Sequence, residues 1–296
     1  MEFNMNAIDL SDMKRFLMSP CPRGAGVVQC YIRRNKTRAN KLFPEYTLFM
    51  KEGDRFLMCS KKRPNNATSN YLVSMRAGDL DRNSRNFLGK LRANFVGTEF
   101  QVFDDGYNPR EPGTFGLSKT LGGGNGGGSS ASSNVDDPTR PMRKELGCVL
   151  YASNVLGSRG PRKMQVAIPA VSDDGTVTEW SELDGGNASH HNTSNNHSKA
   201  IERIKNRDYD GSLYMVNKPP RWNDQVGAYV LNFYGRVTMA SVKNFQLVST
   251  EDFDRIILQF GRVAKDEFTM DFQYPISPFQ AFAITLSSFD SKIACD

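Results

Sequence analysis

The chain has 296 residues, of which 39% are hydrophobic and 24% charged, with a mean hydropathy of −0.51. This describes a soluble globular protein of one large domain or two ordinary ones, slightly polar because of inserted loops. The 38 basic and 32 acidic side chains give a formal net charge of +6, which excludes a strongly acidic or polyanion-repelling chain.

Taken in chain order, "MEFNMNAIDL" lacks both a basic n-region and an apolar h-region, so no secretory signal is expected. A short helix is expected around Asp9–Leu17. "YTLFMKEGDRFLMCS" reads as a hairpin turning at Glu52, Gly53 and Asp54, and "EFQVFDDGYN" as a strand running into a glycine turn. "LGGGNGGGSSASSNVDDP" (121–138) is a Gly/Ser linker and "LDGGNASHHNTSNNHSKA" (183–200) is rich in Asn, Ser and His. Both sit between well-patterned segments, so flexible loop insertions are expected near 117–140 and 183–200 rather than domain boundaries. "RKMQVAIP" puts Met164, Val166 and Ile168 on one face, and "AYVLNFYG" does the same with Tyr229, Leu231 and Phe233. "SLYMVNKPPRW" is extended before its prolines. In "VKNFQ" (242–246), Val242 and Phe245 have apolar roles in a strand, with Lys243 and Asn244 at a rim. "EFTMDFQYP" alternates Phe268, Met270, Phe272 and Tyr274 with polar residues.

The last segment, "SPFQAFAITLSSFDSKIACD", is a helix of about 17 residues. Ser277 caps it, Pro278 suits its first position, Gln280 completes a capping box and Lys292 suits the dipole of its last turn. Ala281, Phe282, Ala283 and Ile284 are consecutive and wrap the circumference, and Leu286, Phe289 and Ile293 extend the apolar surface. A helix apolar nearly all round is buried all round. A membrane span needs roughly 20 predominantly apolar residues, and this segment carries Asp290, Lys292 and several hydroxyls, so protein must enclose it. Many half-buried antiparallel strands around one such helix predict a closed β-barrel with Phe282, Ile284, Leu286 and Phe289 in its core.

The charge is localised. Between Tyr31 and Arg92 fifteen basic side chains face five acidic ones, a surplus of ten, so the rest of the chain is net acidic. A polyanion is implied, either nucleic acid or an anionic membrane surface. The five cysteines, Cys21, Cys30, Cys59, Cys148 and Cys295, are odd in number and show no CxxC or zinc-ligand spacing, so reduced thiols in a cytosolic protein are expected. No enzyme, metal or cofactor is indicated. His190, His191 and His197 all sit in the Asn/Ser loop, where no framework orients a base, and "GGGNGGG" is not followed by GK[ST].

At this point the residues resemble a known family. "FYGRVTMASVKNFQL" (233–247) and "AFAITLSSFDSKIACD" (281–296) are similar to the two signatures of the tubby family's C-terminal domain, with Asp296 where that family usually has Glu. "SPCPRG", "TSNYLVSM", "FLGKLRANFVGTEFQVFDDG", "SNVLGSRGPRKM", "PPRWND" and "QFGRVAKDEFTMDFQYP" look like further family blocks in the expected order. The resemblance implies an antiparallel barrel of about twelve strands filled by the C-terminal helix, over residues 19–296, after a short N-terminal segment 1–18. Animal members carry long N-terminal regions and plant members an F-box; only about eighteen residues precede "SPCPRG", so neither module is expected.

The resemblance also implies a ligand. In tubby-like domains a Lys and an Arg two positions apart bind the phosphates of phosphatidylinositol 4,5-bisphosphate, helped by a further Arg. The matching positions in "CSKKRPNN" are Lys61 and Arg63, with Arg92 of "GKLR" the third group and Lys62 a weaker one. On a strand, residues i and i+2 share a face, so Lys61 and Arg63 project together while Lys62 points away or to the rim. Arg33, Arg34, Lys36 and Arg38 are expected to add diffuse attraction. The expected behaviour is that of a monomer making a peripheral contact with the cytoplasmic face of the plasma membrane, without insertion, and tethering a protein cargo or regulator. A nuclear or ciliary location is left open. Two alternatives stand beside it. One is a nucleic-acid-binding transcription regulator using the same basic strip, although no helix-turn-helix, zinc finger or RRM motif is present. The other is a scaffold that binds only protein.

Overall fold

The computed structural model describes residues 3–108, 141–152, 163–180, 198–225 and 227–290. The Gly/Ser linker, the histidines, Cys295 and Lys292 lie outside the described residues. In order the strands are β1 (Val28–Asn35), β2 (Glu45–Met50), β3 (Arg55–Lys62), β4 (Asn70–Ser74), β5 (Phe87–Ala93), β6 (Glu99–Asp104) and β7 (Glu145–Tyr151). There follow β8 (Met164–Pro169), β9 (Ser212–Asn217), β10 (Arg221–Asn223), β11 (Ala228–Val230), β12 (Phe245–Ser249), β13 (Ile256–Arg262) and β14 (Glu267–Phe272). The helices are α1 (Met13–Met18), α2 (Lys199–Lys205) and α3 (Pro278–Ser288).

Twelve strands close a barrel in the order β1, β14, β13, β12, β9, β8, β7, β6, β5, β4, β3, β2, with every pairing antiparallel. Closure leaves the barrel itself without an open edge. Alternation decides what faces inward. Val28, Cys30 and Ile32 pair with Phe272, Met270 and Phe268, and all six are buried. The expected hairpin turns where Gly53 and Asp54 take positive φ.

α3 fills this barrel. All eleven of its residues are buried. The expected cap is present: Gln280 N–H donates to Ser277 Oγ (3.1 Å), and Ser277 N–H donates to Gln280 Oε1 (2.9 Å). Its hydroxyls are compatible with a dry core because each donates to a carbonyl of the preceding turn: Thr285 to Phe282, Ser287 to Ile284 and Ser288 to Thr285. Phe282, Ile284, Leu286 and Phe289 are all buried. Gly89 on β5 leaves room for the rod, for a Cβ there would lie 2.7 Å from the Phe279 ring.

Several expectations need correction. α3 has 11 residues rather than about 17, with Phe289 as its C-cap. α1 begins only at Met13, after its cap Asp12, and buries Phe16 and Leu17 in the main core. "AYVLNFYG" contributes only β11, a short ribbon with β10 outside the barrel, because the chain leaves extended pairing after Val230 to cross the wall. Val242 is exposed rather than packed, since β12 begins only at Phe245. The final residues expected in the second loop, Ser198 to Ala200, form the cap and start of α2, which covers Cys148, Leu150 and Ala167 from outside. Cys21, Cys30, Cys59 and Cys148 are buried free thiols; burial pushes Cys21 up to about 12 and Cys59 to about 11.

Candidate functional site

β3 runs towards the end of the barrel where α3 finishes, and its last residues carry the basic cluster. Ser60 pairs with Tyr46 and is buried in the wall's inner row, so by alternation Lys61 and Arg63 face outward and Lys62 inward. Arg63 continues the ladder, its N–H donating to Asn70 O (2.8 Å), and Asn70 is in register with Arg92 on β5. Arg63, Asn70 and Arg92 therefore form one outer row across three neighbouring strands, with Lys61 two residues below Arg63. The structure brings the three principal candidates onto one face.

Their electrostatic states differ. Lys61 Nζ donates to Asn40 Oδ1 at 2.7 Å, a neutral partner that orients the ammonium without cancelling its charge. Glu45 lies across from Lys61 in register, yet no ion pair joins them. Among the described residues the Arg63 guanidinium makes no hydrogen bond or ion pair. Asn70, between the two arginines, has a buried Oδ1 that accepts no hydrogen bond. Asn40 and Asn70 were both missed in the sequence, where a short polar side chain in a turn or strand carries no signal of what it faces.

Lys62 behaves differently from its neighbours. Its Nζ lies 3.5 Å from Asp290 Oδ2, a carboxylate with 0% side-chain exposure, and Tyr71 OH donates to the same oxygen at 3.1 Å. The diffuse cations also divide. Arg34 pairs with Asp266 at 2.8 Å and lies over the Phe268 ring, so it closes the barrel end, and Arg33 faces Glu267 at 3.4 Å. The side chain of Arg38 lies outside the described residues.

The signature around Tyr234 has a structural explanation. Arg236 crosses the outer wall and grips Asp271 with both Nε (2.8 Å) and Nη2 (2.7 Å), while Nη2 also donates to Cys30 O. Gln246 donates to Gln259 Oε1 at 2.6 Å, and Gln259 to Asp271. Val237 fills the space a side chain at Gly261 would need. These residues hold a strap on the barrel.

A Tub family model matches residues 17–291, a range that contains every barrel strand and α3. The chain belongs to the Tub family. It is 43% identical to mouse Tubby-related protein 2 over 287 residues, covering 96% of this chain and 45% of that one. Human Tubby-related protein 1 is 40% identical over 98% of this chain and 47% of its own length. For human Tubby-related protein 3 the identity is 40%, over 97% and 59%. The chain thus spans about half the length of the curated Tub relatives it matches. Among the described residues no helix is long and apolar enough to cross a membrane, and no group of three or more His, Cys, Asp or Glu side chains could hold a metal ion.

Proposed function

We propose that this Tub domain is a phosphoinositide-binding module rather than an enzyme. It reads phosphatidylinositol 4,5-bisphosphate at the cytoplasmic face of the plasma membrane and tethers a protein cargo or regulator there until the lipid is hydrolysed. Lys61 supplies a compact charge to one phosphate, and Arg63 and Arg92 supply planar forks suited to paired phosphate oxygens. The observation that carries the reading is the common outer face of Lys61, Arg63 and Arg92 across β3, β4 and β5 at one barrel end. Three cations grouped on one face match a doubly phosphorylated ring better than the regularly spaced phosphates of a duplex.

A vesicle titration across phosphoinositide species tests this, with a DNA duplex at physiological salt as the competitor. Preference for bisphosphorylated headgroups over equal charge as phosphatidylserine supports it. Equal binding to all anionic vesicles, or tighter binding to the duplex, overturns it.

A further inference from the structure

The end of the barrel that carries the cations also carries exposed apolar side chains. Leu42 in the β1–β2 loop is 82% exposed, and Phe95 and Val96 in the β5–β6 turn are 75% and 65% exposed. The antiparallel order fixes their location. β2 begins at Glu45, opposite Lys61, so the loop bearing Leu42 borders the end of β3. β5 ends at Ala93, one residue beyond Arg92, so Phe95 and Val96 follow directly from the candidate site on its other side. Apolar tips therefore flank the cations on both sides of a single rim.

Both loops are held rather than loose. Asn94 Oδ1 accepts from the N–H groups of Gly97 (2.7 Å), Thr98 (3.0 Å) and Glu99 (3.3 Å), and Gly97 takes φ +82. This turn fixes the backbone on either side of Phe95 and Val96. Asn40 ties the other loop to the site through its hydrogen bond with Lys61. Exposed side chains on a preorganised loop lose little conformational freedom when a partner covers them.

We infer that Leu42, Phe95 and Val96 enter the interfacial layer of an anionic lipid bilayer while Lys61, Arg63 and Arg92 hold a phosphorylated headgroup between them. The bilayer is the occupant because the rim is cationic as well as apolar, and an anionic leaflet satisfies both at once. A rim with cations alone would release in salt, whereas apolar insertion persists when charge is screened. This rests on the phosphoinositide reading and departs from the expectation of contact without insertion.

The test uses the full chain and vesicles of phosphatidylcholine and phosphatidylserine with a few per cent phosphatidylinositol 4,5-bisphosphate, at low and high salt. The Phe95→Ser/Val96→Ser variant should lose about tenfold or more in vesicle affinity, and more of it at high salt. Its affinity for soluble inositol 1,4,5-trisphosphate should stay within twofold of wild type. A Phe95→Trp variant should blue-shift on vesicles and be quenched by brominated acyl chains. Vesicle affinity within twofold of wild type, or no quenching, overturns insertion and leaves headgroup recognition intact. Failure of the wild type to bind phosphoinositide vesicles overturns both. Tighter binding of the rim to a duplex that the Ser variant abolishes also overturns the bilayer assignment.

Discussion

Lys62 reaches inward to Asp290, 3.5 Å from a carboxylate that has no exposure to solvent. The contact joins the strand carrying the candidate phosphate ligands to the chain just beyond α3. Lys61 and Arg63 face out on either side of it, so the outer cations and the inner pair alternate along a single strand.

Loss of this pair should damage the fold before it damages any ligand site. Lys62→Met removes the ammonium 3.5 Å from the buried Asp290 carboxylate, which should cost about 2–4 kcal/mol of stability. Equilibrium urea unfolding checks this, with Asp290→Asn/Lys62→Met recovering part of the loss. An unchanged midpoint for Lys62→Met would show that the pair is not a structural one.

The barrel should not survive without its rod. Truncation after Pro275 removes Phe279, Phe282, Ile284 and Leu286, all buried, and leaves the wall's inner row facing water. The truncated chain should be insoluble or bind hydrophobic dyes without a cooperative melt. A soluble product melting cooperatively would contradict the packing described.

The strap across the outer wall makes a second structural demand. Arg236→Leu strips Asp271 of its two guanidinium bonds at a site with only 5% side-chain exposure, and should cost about 2–4 kcal/mol. Arg236→Lys should recover part of this but not the bidentate geometry. Thermal melts of the three proteins settle the order.

How much of this was legible follows from what kind of signal each feature leaves. The inner row of β14 could be read because Phe268, Met270 and Phe272 alternate strictly, and α3 because Ser277, Pro278 and Gln280 announce its start. The outer row of Gln246, Gln259 and Asp271 could not. On paper these are solvent-facing positions, and the return of the chain through Asn232, Phe233 and Arg236 across the wall covers them. "AYVLNFYG" misled because a period of two reports extended chain and not which sheet it joins. At the site, i and i+2 spacing was enough to put Lys61 and Arg63 together, while the placement of Arg92 needed the register between β4 and β5. The partner of Lys62 could not be read, since Asp290 lies more than two hundred positions away.

Alkaline pH should weaken the barrel end. Burial first, and then the charge of Asp290, raise the Tyr71 hydroxyl well above its ordinary value of 10.0, and burial raises Tyr46 as well. A group whose folded value is raised contributes stability that is complete below its unfolded value and is lost as pH rises through the folded one. Stability should therefore be steady to about pH 9 and fall beyond about pH 10. Tyr71→Phe, though less stable at neutrality, should fall less steeply. Parallel slopes for the two proteins would count against the assignment.

The central claim is that Lys61 on β3 and Arg63, just past its end on the same face, hold a phosphorylated headgroup. Calorimetric titration of wild type and Lys61→Ala/Arg63→Ala with phosphatidylinositol 4,5-bisphosphate vesicles measures it most directly. The account predicts a loss of roughly thirtyfold or more, about 2 kcal/mol, with an unchanged melting temperature. Equal affinity in the two proteins would contradict it.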